Sequence, residues 1–98
     1  MPTPSSFPLT APTVHLNGTS YDGLFIPICD AAGDLRNAIR SLQECAPHGR
    51  DYYPQGEKAL AVATSEHLSR VARLQSVLDE LQALAEKIAD QPRPGASL

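Results

Sequence analysis

The chain contains no tryptophan and only five aromatic residues among its 98, so its core must be aliphatic. An aliphatic core suits a helical bundle better than a β-sandwich. The sequence also lacks any apolar run near the roughly 20 residues that span a bilayer, and it begins with neither the basic nor the apolar segment of a secretory signal. These absences predict a cytoplasmic protein that does not enter a membrane.

The charge and the cysteine content argue against two further features, binding to duplex nucleic acid and an internal disulfide. The net charge of −3 comes with no cluster of lysine and arginine, so duplex nucleic acid is not an expected partner. Cys29 and Cys45 fall in one predicted helix, where sixteen residues at about 1.5 Å each separate them by about 24 Å. A disulfide tolerates about 7 Å between Cα atoms, so we expect two buried, reduced thiols.

Motifs of catalysis and metal binding are also missing. The sequence has no Gly-rich phosphate loop, no nucleophile elbow and no zinc-hydrolase helix motif. His15, His48 and His67 lie far apart without ligand-spaced companions. We therefore predict a protein that is not an enzyme and that holds neither a cofactor nor a metal ion.

The strongest positive pattern is a heptad repeat from Leu60 to Ile88, stepping alternately by four and three residues. Such a repeat predicts a helix, from about 57 to 90, that buries one narrow apolar stripe against other helices. Within the stripe, His67 is a neutral core residue or sets the register of helix pairing. The stripe and its flank form the seam, which we predict to pair helices: Leu60, His67, Val71, Leu74, Val77, Leu78, Leu81, Leu84 and Ile88.

A shorter repeat precedes it and predicts a first helix from about 20 to 46. Pro27 removes a hydrogen bond inside this helix and predicts a kink. The helix starts near Thr19, which with Asp22 fits a capping pattern, or at Pro27 itself. Its apolar stripe, which Ile39 widens, contains Leu24, Ile28, Ala31, Leu35, Ala38, Leu42 and Cys45.

The chain divides into three parts around these helices. Residues 1–13 contain four prolines and predict an extended arm. We expect residues 14–90 to form a helical domain and residues 91–98 to form a flexible tail. At the start of the domain, residues 13–16 alternate like a short strand before a turn at Asn17–Gly18.

The short connection between the helices predicts an all-α fold, an antiparallel two-helix hairpin. At about 1.5 Å per residue, the two helices are about 40 Å and about 50 Å long, so the second extends beyond the first. A hairpin alone covers each seam on one side only. We therefore expect hairpins to assemble into a dimer-based helical-bundle homo-oligomer with coiled-coil-like packing.

Candidate ligand-binding residues are concentrated in the connection. It holds Arg50, Tyr52 and Tyr53 and is followed by Lys58. Aromatic rings beside cations suit stacking on a base and pairing with a phosphate. Arg36 and Arg40 share one face of the first helix and could extend an anion-binding surface, although the tyrosines could equally close the core and the arginines could be solvated.

Three short segments stand out together: His15-Leu16-Asn17-Gly18-Thr19-Ser20, Arg50-Asp51-Tyr52-Tyr53-Pro54-Gln55 and Glu66-His67. In this combination the chain resembles a set of small bacteriophage and prophage helical proteins over about residues 13–90, with Pro27 and the proline-rich arm as departures.

The resemblance implies a non-catalytic accessory protein in the host cytoplasm. Its first implied role is counter-defence, by sequestering a nucleotide-type signal or by blocking a host defence protein. The alternatives are a virion structural or assembly component held by its arm, and an adaptor that binds a host protein through helix pairing.

Overall fold

The structure is a computed structural model that describes residues 9–93. Helix α1 spans Tyr21–Gln43, the short helix α2 spans Gly49–Tyr52, a 3-10 turn spans Tyr53–Gln55, and helix α3 spans Glu57–Ala89. Helix α1 packs along α3 as a hairpin, and residues 9–93 contain no strand. The predicted all-α hairpin is confirmed, with a connection that is itself largely helical.

Helix α1 begins at a cap one residue beyond the predicted one. Ser20 Oγ accepts a hydrogen bond from the Gly23 amide at 3.0 Å, which satisfies a free N–H of the first turn. The helix then continues through Pro27, so the alternative start at that residue is wrong. It ends at Gln43, before the predicted end at 46, because the backbone turns there ahead of Pro47.

The buried face of α1 is rotated relative to the predicted stripe. Ala32 and Ile39 are buried, whereas Ala31 and Ala38 are exposed. Burying Ile39 removes more apolar surface from water than burying an alanine would, which explains the rotation. The two cysteines are free and exposed, so the predicted burial of their thiols is wrong.

The core between α1 and α3 is a narrow aliphatic layer. Its centre is formed by Ala32, Ile39 and Leu78. The partly buried side chains that pack against this centre come from both helices: Leu35, Val71, Leu74 and Leu81. The centre of the core therefore joins α1 to α3.

Most of the predicted seam residues on α3 are buried or half-buried. His67 and Leu78 are 5% and 4% exposed, and Ile88 is fully buried. Five further members are half-buried: Leu60, Val71, Leu74, Leu81 and Leu84. Val77 is the exception because 47% of it is exposed, so the α1–α3 contact leaves one flank of the seam open.

The segment before α1 is held by a single side chain from the other end of the chain. The Val14 amide donates to Gln91 Oε1 at 2.8 Å, and Gln91 Nε2 donates to the Pro12 carbonyl at 2.7 Å. Val14 is 8% exposed. The predicted strand over residues 13–16 is wrong, since no second strand adjoins it and Gln91 supplies the hydrogen bonds instead.

The ends of the chain are described only in part. Residues 1–8 of the predicted arm and residues 94–98 of the predicted tail lie outside the described residues. Within residues 9–93, no helix combines the length and the apolar character that crossing a membrane requires.

Candidate functional site

The connection builds one end of the hairpin, which we call the tip (residues 48–58). Helix α2 and the 3-10 turn both contact α3. Gly49 packs close to Leu60, because a Cβ added to this glycine would lie 3.6 Å from Leu60 Cδ2. Tyr53 has helical dihedral angles, φ −50° and ψ −42°, so helical backbone runs from α2 into the 3-10 turn. The tip is therefore a short, folded surface on the beginning of α3.

His48 positions Arg50 within the tip. The His48 ring caps α2, because its Nδ1 accepts a hydrogen bond from the Arg50 amide at 3.2 Å. The Arg50 guanidinium lies against the same ring, with Nε 3.3 Å from Nδ1 and Nη2 3.4 Å from Nε2. Arg50 Nη1 makes no hydrogen bond to the described residues, so the guanidinium keeps donors for a ligand.

Tyr53 is the exposed aromatic residue of the tip. Its exposed fraction is 83%, whereas Tyr52 is half-buried. Because Tyr53 follows Arg50 by three residues of helical backbone, the two side chains share one face. Lys58 is exposed in the first turn of α3. The tip thus combines an open aromatic ring with a positioned cation.

Arg36 and Arg40 form a separate group on α1. Both line a shallow depression of about 650 Å³ made entirely from α1 residues. Arg40 Nη1 donates to Asn37 Oδ1 at 3.2 Å, and the carboxylates of Asp30 and Asp34 lie in the same depression. The six predicted ligand-binding residues therefore fall into a tip group and an α1 group, and the α1 group offers no aromatic ring.

Sequence reasoning missed a cavity at the opposite end of the hairpin, which we call the arm pocket. Its volume is about 330 Å³. Val14 is the buried residue of its wall, and the first turn of α1 contributes a tyrosine and an acid. The arm pocket is lined by Val14, His15, Leu16, Gly18, Ser20, Tyr21, Asp22 and Arg93.

Arg93 contacts two other residues that line the arm pocket. Its guanidinium carbon lies 4.0 Å from the centre of the Tyr21 ring, and Nη2 lies 3.8 Å from Asp22 Oδ1. Tyr21 also stacks on Phe25, with ring centres 5.3 Å apart. This cation already has both an aromatic and a carboxylate partner, so a ligand there would have to compete with contacts inside the chain.

One signal for the arm pocket was present in the sequence. Tyr21 and Phe25 are four residues apart at a helix start, the spacing that brings two rings together. The approach of Arg93 had no such signal, because it lies 71 positions after Asp22 in the chain.

No group of three or more His, Cys, Asp or Glu side chains suited to a metal ion occurs in residues 9–93. Comparison of the chain with protein-family models, with curated proteins and with solved structures finds no match.

Proposed function

We propose that this chain is a non-catalytic binding module of the small phage type that sequesters a nucleotide-type ligand at the tip. Such a protein would act in counter-defence by removing a host signal. The observation that carries the proposal is the presence in one short folded segment of an exposed ring, Tyr53, 83% exposed, and of the Arg50 guanidinium, which contacts the His48 ring.

The chemistry of the tip matches the two parts of a nucleotide. An exposed tyrosine ring can stack on a base, a contact worth about 1–3 kcal/mol. A guanidinium with free N–H donors pairs with phosphate oxygens through charge-assisted hydrogen bonds. Because His48 already orders the Arg50 side chain, binding would lose less side-chain entropy there than at a freely rotating arginine.

Thermal unfolding with a nucleotide panel tests the proposal. We expect a cyclic or ADP-ribose-type nucleotide to raise the Tm, because a ligand at 100 times its Kd adds about 2.7 kcal/mol to the free energy of unfolding. The double variant Tyr53→Ala with Arg50→Ala should abolish the rise. Arg70→Ala, which removes an exposed arginine of α3 outside the tip, is the matched control and should retain it.

Two results would contradict the proposal. A panel in which no nucleotide changes the Tm would remove nucleotide binding altogether. A Tm rise that survives the tip double variant but disappears in Arg36→Ala with Arg40→Ala would move the site to the α1 group.

A further inference from the structure

One flank of α3 carries apolar side chains that α1 does not fully cover. Val77 is 47% exposed, and Leu84 is half-buried. The two residues are seven positions apart, close to two helical turns, so they lie on the same side of the helix. This flank is defined by Val77 and Leu84 and is called the α3 flank.

Four charged residues run along the α3 flank at one heptad position. Glu66, Arg73, Glu80 and Lys87 each follow the one before by seven residues, and their signs alternate. None of the four forms a salt bridge with another described residue. Glu80 is half-buried and the other three are exposed. The row of alternating charge is therefore available to a partner.

We propose that the α3 flank binds the same flank of a second copy of this chain, with the two α3 helices antiparallel. In an antiparallel pair, residues of one heptad position face each other in reverse order. Glu66 then faces the partner's Lys87, and Arg73 faces the partner's Glu80. These pairs place the two-fold axis between Ser76 and Val77, so the exposed apolar residue lies at the centre.

The parallel arrangement is disfavoured by the same residues. Each member of the row would then face its own copy, which sets glutamate against glutamate and arginine against arginine. Like charges that face each other cost free energy in helix pairs, and such repulsion selects orientation. Val77, which meets its own copy at the axis, supplies the apolar contact of the antiparallel pair, and the exposed ion pairs fix its direction.

Sedimentation of two matched variants tests the surface. The wild type should sediment as a dimer, twice the chain mass of 10.5 kDa. Val77→Asp should shift it to monomer, because a carboxylate would be buried beside its own copy at the axis. Leu68→Asp is the control: Leu68 is 60% exposed and precedes Val77 by nine residues, two and a half turns, so it points to the opposite side. This variant should remain a dimer.

A charge swap tests the pairing. Arg73→Glu should raise the dimer Kd by on the order of tenfold, because two ion pairs per dimer become repulsive. Adding Glu80→Arg should return the Kd to within about threefold of the wild-type value. The two residues are seven apart, beyond the three- and four-residue spacing of contacts within a helix, so the swap creates no pair between them inside one chain.

A distance measurement tests the orientation. With Cys29 and Cys45, both exposed, replaced by serine, a spin label at Lys87→Cys should report about 30 Å between copies, because residue 87 lies some ten residues from the axis. A parallel pair would give about 10 Å.

Three outcomes would overturn the proposal. They are a wild type that stays monomeric at high micromolar concentration, a dimer that survives Val77→Asp but not Leu68→Asp, and a short label distance at position 87. Circular dichroism of each variant shows whether a monomer is still folded, so that unfolding is not mistaken for dissociation.

Discussion

Two glycines should respond in opposite directions to replacement by alanine. Gly56, before α3, has φ 103°, a conformation that side chains with a Cβ rarely adopt. Gly56→Ala should lower the free energy of unfolding by about 1–2 kcal/mol. Gly33 lies inside α1 with open space around its Cβ position, so Gly33→Ala should raise it by about 0.5–1 kcal/mol through helix propensity.

Urea unfolding at one protein concentration measures both glycine variants. A Gly56→Ala protein as stable as the wild type would show that α3 starts with a different backbone conformation. A loss of stability in Gly33→Ala would show that a neighbour occupies the space beside α1.

The residue types in the sequence located the tip but did not predict its conformation. A tyrosine pair beside a cation was readable from the sequence, whereas the exposure of Tyr53 and the half-burial of Tyr52 depend on α2, a helix of four residues between Pro47 and Pro54. A helix that short has no periodicity to detect. The contact of Arg50 with His48 follows from the same turn, so it could not be predicted either.

At the scale of elements, Gln91 should decide whether the segment before α1 stays in place. Gln91→Ala removes the acceptor of the Val14 amide and the donor to the Pro12 carbonyl. We expect a loss of about 1–2 kcal/mol in the free energy of unfolding and faster hydrogen exchange at the Val14 amide. Gln55→Ala, at an exposed position in the 3-10 turn, is the control.

Unchanged exchange at the Val14 amide in Gln91→Ala would mean that burial of the Val14 side chain, rather than the two hydrogen bonds, holds the segment. Loss of protection in Gln55→Ala as well would point to a general loosening of the hairpin.

Helix boundaries and helix phase differed in how well they could be predicted. For α3, the repeat and the flanking glycine and prolines predicted 57–90, and the helix spans Glu57–Ala89. For α1, two buried faces that differ by one residue fit the apolar pattern. One contains Ala31 and Ala38, and the other contains Ala32 and Ile39. Only the volume of Ile39 against α3 decides between them, and that is a tertiary contact.

At the scale of the whole molecule, the two proposals occupy different parts of the hairpin. The tip begins about 30 Å along α3 from the proposed two-fold axis, at about 1.5 Å per residue. In an antiparallel pair the two tips therefore lie about 60 Å apart, at opposite ends. A dimer of this form leaves both tips open, and each chain should bind its ligand independently.

Independence of the two sites gives a prediction that separates the proposals. Val77→Asp, although monomeric, should keep the nucleotide-induced rise in Tm, because the tip is remote from the axis. The tip double variant, Tyr53→Ala with Arg50→Ala, should remain a dimer by sedimentation. Titration calorimetry of the wild type should give one ligand per chain with a single Kd. Loss of ligand binding in Val77→Asp, or one ligand per dimer, would instead place the ligand between two chains.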